Sequence, residues 1–171
     1  MQINWNPKWQ LKDPARIKFN GDGTVTLRGP VGNVRFPDDY RDFMLRSDGA
    51  ALQDKGSYFL ARFKEGVAIF EIEWLGSLRS VGGMTWDYYI YPEPEKHKLP
   101  LGFMGIGYAE PAPNGVDVVL NVDTSSLDYG KVYAWVRTND PWMTGNNKRG
   151  LGFVADSFTE FMNNLTDKKN L

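Results

Sequence analysis

The sequence contains no cysteine, so disulfides, thiolate metal centres and cysteine nucleophiles are excluded. It has one histidine, His97, between Lys96 and Lys98. A Ser-His-Asp triad or a multi-histidine metal site would have to use it or do without. A base needs a positioned partner, and nothing around His97 orients an imidazole, so it reads as an exposed loop residue. No apolar run approaches the roughly 18 residues of a membrane span. The start, MQINWNPKWQLKDPARIK, lacks a basic region followed by an apolar stretch, so no secretory signal is expected. There is no charge excess either: 20 basic against 21 acidic side chains leave a net charge of −1. That speaks against a nucleic-acid partner and leaves room for a local acidic patch. The expectation is a cytoplasmic protein with no membrane association.

What is present is aromatic. Phe, Trp and Tyr make up 14% of 171 residues, six of them Trp, which favours strands and supplies interface anchors. The length fits one domain over residues 1–171. ARIKFNGDGTVTLR (15–28) reads as a hairpin, with turn chemistry at Asn20-Gly21 and Asp22-Gly23. FPDDYRDFMLRSDG (36–49) reads as a short helix. Pro37 suits its first position, Asp38 and Asp39 suit its positive end, and Tyr40, Phe43 and Met44 share one face. Gly49 is placed to end it in the left-handed conformation.

Six strands are expected at 57–63, 67–76, 84–92, 102–110, 116–123 and 131–137, each rich in β-branched or aromatic residues. Short links such as Lys64-Glu65-Gly66 make antiparallel neighbours. The segment 92–100 is a proline-rich charged loop. ADSFTEFMNNL is a second helix, with Ser157 and Glu160 as a capping box and Phe158, Phe161, Met162 and Leu165 as its apolar stripe. The polar tail TDKKNL is expected to fray. Helix, antiparallel meander and helix define an α+β fold: one domain, a sheet of about six strands, a short helix on its N-terminal side and a C-terminal helix.

Motifs that would announce chemistry are absent or broken. NGDGT (20–24) opens like a calcium loop, but the position for the bidentate glutamate is Val31. GFMGIG (102–107) has dinucleotide-like glycines in the wrong order, within a strand. NDPWMTGNNKRGLG (139–152) lacks the Gly-Lys-Ser/Thr of a phosphate loop and reads as a long strand-to-helix loop, with Trp142 either tacked onto the sheet or free for a partner. Scattered carboxylates, among them Glu110, offer catalytic pairs only if two stand about 5–9 Å apart, a distance sequence does not fix. No catalytic residue, cofactor site or metal site is assigned.

Two stretches resemble the SUKH superfamily, the Smi/Knr cell-wall regulators and bacterial immunity proteins. FPDDYRDFMLRSDGA (36–50) is similar to that family's Pro-x-x-Tyr-x-x-Phe helix and glycine corner, carried by Pro37, Tyr40, Phe43 and Gly49. Ser47-Asp48-Gly49-Ala50 departs from the family's Asn-Gly-Gly form. Residues 99–165 are similar to its later strands and Ser-Phe-x-x-Phe helix, through Gly105, Gly107, Asp117, Gly130, Val132, Ser157, Phe158 and Phe161. The family-like core is thus 36–165, and the hairpin at 15–28 stands where many members place a helix.

The resemblance implies a non-enzymatic domain, an immunity protein or antitoxin whose partner is a cognate toxin, often a nuclease. Neutralisation needs aromatic anchors and charge opposite to the partner. The candidates for that contact are Asp38 and Asp39, with Asp42, on the first helix, Asp117, Asp123 and Asp128 in DVVLNVDTSSLDYG, and Trp86 and Trp142. The competing reading is a carbohydrate-binding or cell-wall module built on surface aromatics such as Trp86, Tyr88, Tyr89 and Tyr91.

Overall fold

The computed structural model describes residues 2–27, 32–53, 56–90, 99–110, 116–136 and 150–171, with side chains left out at 84 and 86–90. The α+β expectation holds. Its centre is an antiparallel meander of β5 (Tyr58–Phe63), β6 (Gly66–Leu75), β7 (Phe103–Glu110), β8 (Val116–Asn121), β9 (Val132–Val136) and β10 (Leu151–Ala155). Each strand pairs with the next, and β10 returns to β5, so the meander closes on itself. The closing link is thin, with Phe153 opposite Arg62 as its one register pair. Two short strands, β1 (Trp9–Leu11) and β4 (Ala50–Leu52), extend the sheet from the end of β6.

Three helices accompany the sheet: α1 (Asp38–Arg46), α2 (Leu78–Ile90) and α3 (Phe158–Asn164). Tyr40, Phe43 and Met44 of α1 are buried, as their spacing requires. They meet the buried face of α3: Phe158 lies 5.0 Å, ring to ring, from both Tyr40 and Phe43. Phe161 meets Phe59 of β5 edge-on at 5.5 Å. Aromatic rings thus join α1, α3 and the sheet into one core. A smaller cluster of Leu99, Phe103, Val119, Trp135 and Leu151 forms a second core. β8 contributes to both clusters, so every one of its residues is buried.

Four local expectations are corrected. Of the strand expected at 84–92, residues 84–90 are the second half of α2, and 91 and 92 lie outside the described residues. Val81 and Thr85 are buried four residues apart, and the Thr85 hydroxyl accepts the Gly105 N–H of β7 at 3.2 Å. Helical burial against β7 overrides the aromatic, β-prone composition. The sixth strand is instead β10, which takes up Leu151 and Gly152 from the end of the expected 139–152 loop. The 15–28 hairpin reduces to a Phe19–Val25 bridge around the Asn20–Gly23 turn, because Val25 and Thr26 (β2) pair with Asn33 and Val34 (β3). The tail is tied rather than frayed: Thr166 and Tyr58 exchange backbone hydrogen bonds at 2.8 and 3.1 Å.

The starts of α1 and α3 use local chemistry. The Pro37 carbonyl accepts the Arg41 N–H at 2.9 Å, so Pro37 takes the capping position just before the helix. Ser157 caps α3 by accepting the Glu160 N–H at 3.1 Å, and Glu160 reaches back to the Asp156 N–H at 2.8 Å, one residue before the cap.

The end of α1 is a dense corner. The Ser47 hydroxyl accepts the Lys12 N–H at 2.7 Å and donates to the Gly49 carbonyl. Asp48 donates its N–H to the Asp13 carbonyl at 2.8 Å and accepts the Leu78 N–H, at the start of α2, at 2.6 Å. The helix has already stopped at Ser47, so Gly49, at φ +89, turns the chain into β4 rather than closing the last turn. A Cβ at Gly49 would stand 2.6 Å from the Leu75 carbonyl oxygen and 2.8 Å from backbone atoms of Gly76 and Ser77.

Gly49→Ala is therefore expected to cost roughly 1–3 kcal/mol from the left-handed backbone alone, with the overlap adding to it. Gly66→Ala, also at positive φ but with nothing within 4 Å of its Cβ position, is the control. Urea denaturation should show the larger loss for Gly49→Ala.

Candidate functional site

The β8–β9 connection is built by its own side chains. Asp123 accepts the Ser125 N–H at 2.9 Å and the Ser125 hydroxyl at 2.6 Å. The Ser126 N–H donates to the Asp123 carbonyl at 3.0 Å, and the Ser126 hydroxyl accepts the Asp128 N–H at 3.1 Å. The Gly130 N–H closes the loop on the Asn121 carbonyl at 2.8 Å. Asp and Ser side chains of this kind substitute for backbone pairing in turns. The loop is thereby fixed before any partner arrives.

Beside it runs a groove of about 520 Å³. One wall is the β3–α1 link and the start of α1: Arg35, Phe36, Pro37, Asp38, Asp39 and Arg41. The other wall is Tyr129 and Gly130 of the loop, with Asp156 and Ser157 before α3. The Tyr129 hydroxyl donates to the Arg35 carbonyl at 3.1 Å and joins the walls. Lys131 bridges Asp128 at 2.8 Å and Asp156 at 3.5 Å. Arg41 holds Asp38 at 3.1 Å. The groove walls and the adjoining loop carry carboxylates at 38, 39, 123, 128 and 156, with Asp22 beside Arg35, against the cations of Arg35, Arg41 and Lys131.

Two of these carboxylates, Asp123 and Asp128, are held ionised by their hydrogen-bond partners. The Ser125 hydroxyl and N–H pull Asp123 below its ordinary value. Lys131, hydrogen-bonded to Asp128, does the same for Asp128, and its own ammonium is raised in return. The arrangement offers fixed negative charge and hydrogen-bond acceptors on a pre-formed turn. Among the described residues no group of three or more His, Cys, Asp or Glu side chains is arranged to hold a metal.

Four of the residues marked in the sequence fall on this groove or its adjoining loop: Asp38 and Asp39 on the wall, Asp123 and Asp128 on the loop. They are not equivalent. Asp38 is solvent-exposed. Asp39 is a tie between helices: one oxygen accepts its neighbour's N–H, Tyr40, at 2.8 Å, and the other accepts the Thr159 N–H of α3 at 2.7 Å. Asp42, which Arg41 also meets at 3.4 Å, lines a second groove with Trp5, Phe43 and Arg46, and Asp39 borders both grooves.

Asp117 does not belong to this surface. It is 1% exposed, in β8 between Tyr108 of β7 and Trp135 of β9. Trp86 falls on α2 instead of a strand, and its side chain lies outside the described residues, as do Trp142 and His97. Asp156, Tyr129, Arg35 and Lys131 were not anticipated. The spacing of Asp128 and Lys131 in DYGK was a readable signal for one ion pair; the others depend on the tertiary meeting of α1, the loop and α3.

Fold and site together define an α+β protein presenting a carboxylate-rich, pre-formed surface. The SMI1 / KNR4 family (SUKH-1) matches residues 32–164, and the chain belongs to that family. No curated protein and no solved structure matches it. Among the described residues no helix is long and apolar enough to cross a membrane.

Two outcomes follow from this geometry. Asp39→Ala leaves the Thr159 and Tyr40 N–H groups without their acceptors and is expected to cost about 1–3 kcal/mol. Asp38→Ala, at an exposed position, should stay within about 0.5 kcal/mol by the same denaturation measurement. In an NMR titration, Asp123 and Asp128 should protonate below the ordinary aspartate value. Because their folded-state values are depressed, the stabilisation they give is complete above the unfolded value and fades as pH falls through the folded one.

Proposed function

We propose that this protein is a non-enzymatic immunity protein that binds and neutralises a cognate bacterial toxin in the cytoplasm of the producing cell. The observation that carries the reading is where the family match falls. Residues 32–164 contain both principal walls of the groove and the carboxylates at 38, 39, 123, 128 and 156. A role in occluding another protein suits a surface whose charges are fixed by its own backbone, since little ordering is left to be done on binding.

The charge pattern supports a basic partner. Carboxylates ionised at every physiological pH, on a turn rich in acceptors, imitate phosphate groups to a nuclease cleft. Opposite charge chiefly accelerates the encounter, while packing at the centre of the contact slows release.

The test is co-purification with the toxin encoded beside this chain, followed by binding kinetics. The toxin is expected to bind tightly. Asp123→Lys together with Asp128→Lys should lower the association rate about tenfold or more at low salt and flatten its salt dependence. A neighbouring toxin that does not bind the unaltered protein overturns the proposal.

A further inference from the structure

We infer that Leu127, at the tip of the β8–β9 loop, is the apolar anchor of the partner contact, and that the partner supplies an apolar pocket bordered by Lys or Arg side chains. The inference rests on the toxin-binding reading and deepens it. An exposed leucine is ordinarily unremarkable on a protein surface, and three observations set this one apart.

The first is exposure on a rigid support. Leu127 is 101% exposed, while the turn carrying it is held by Asp123, Ser125, Ser126, Asp128 and Gly130. Exposed apolar side chains on floppy loops bury themselves or average out. One held out on a fixed turn is already in the geometry a pocket requires. Nothing in the turn asks for leucine: the tip of a loop built by Asp, Ser and Gly favours small polar residues. A local rule broken with no local gain marks a functional position.

The second is the rim. Asp128 follows Leu127 directly and Asp123 opens the same turn, both with carboxylates held ionised by their hydrogen-bond partners. An apolar centre with charge at its rim is the anatomy of a protein–protein contact; Lys131 already pairs with Asp128, and Asp123, held only by neutral Ser125 groups, is the rim charge that favours a basic partner.

The third is a second leucine on the adjoining turn. Leu101 is 83% exposed. Its neighbour Gly102 accepts the Val122 N–H at 2.7 Å and packs against Asp123, where a Cβ would stand 2.8 Å from the Asp123 Cβ. The two turns are thus docked together and both present leucine at the same end of the sheet. The partner's apolar surface therefore extends beyond one side chain.

The experiment measures binding of the toxin encoded beside this chain to the full-length protein, to Leu127→Asp and to Leu127→Met, with a thermal melt and light scattering of each. Because Leu127 is fully exposed, both variants should melt with the unaltered protein. Leu127→Asp should weaken binding at least tenfold, chiefly through faster dissociation, and Leu127→Met should stay within about threefold. Equal toxin affinity of the unaltered protein and Leu127→Asp overturns the inference while leaving the immunity reading intact. A toxin that binds none of the three overturns both. An unaltered protein that is a dimer in light scattering, and a monomer once Leu127→Asp is introduced, also overturns it, because the pocket then belongs to a second copy.

Discussion

The contact on which the structure depends is the approach of the Gly49 backbone to the backbone of Leu75, Gly76 and Ser77. At that distance no side chain fits between them. The N-terminal arm at Lys12 and Asp13, the end of α1, the end of β6 and the start of α2 all converge there, held by Ser47 and Asp48. Three of these meetings join residues about thirty or more positions apart, so the corner fixes long-range geometry that the helix and strand propensities leave free. Glycine is required on two grounds at once, its positive φ and its missing Cβ.

The position of α1 then determines what the acidic end can be. With its C-terminal end anchored at the corner, its first turn is brought beside α3, where Asp39 receives the Thr159 N–H. The same placement puts Pro37 against Gly130 and brings the Tyr129 hydroxyl onto the Arg35 carbonyl. Charge at this surface is thus positioned by backbone contacts, and the ion pairs add their share afterwards. Exposed pairs such as Arg41 with Asp38 contribute little to stability and mainly restrict where the charges point.

Local patterns in the sequence carried most of the architecture. Alternation and tight turns located five strands of the closed meander, and the buried faces of α1 and α3 follow from residue spacing. The misreadings share one cause. Residues 84–90 are aromatic and β-prone, yet Val81 and Thr85 find burial against β7 only as a helix. Leu151 and Gly152 read as the end of a loop because of the glycines and the Lys-Arg pair around them. Gly152 is needed where the Phe63 ring leaves no room for a Cβ, a contact invisible before folding. Asp117 was grouped with Asp123 and Asp128 on composition, but β8 is covered on both faces, and the second cover comes from residues as distant as Leu99 and Leu151. The acidic end was legible residue by residue; its assembly from three separate elements was not.

The chain on either side of the family-matched segment is more than a pair of appendages. β1 covers the edge of β4 from one end, and Thr166 pairs with the edge of β5 from the other. The seam it guards is the thinnest link of the sheet, where β5 meets β10 through one register pair. A chain trimmed to residues 32–164 would lose both covers, together with Trp9 of the core and the Lys12–Asp13 arm of the corner. Two strand edges would then offer unpaired N–H and C=O groups to any extended segment nearby, the situation that leads to strand exchange and aggregation. In this protein, the backbone groups along two strand edges find their partners outside the part that defines the family.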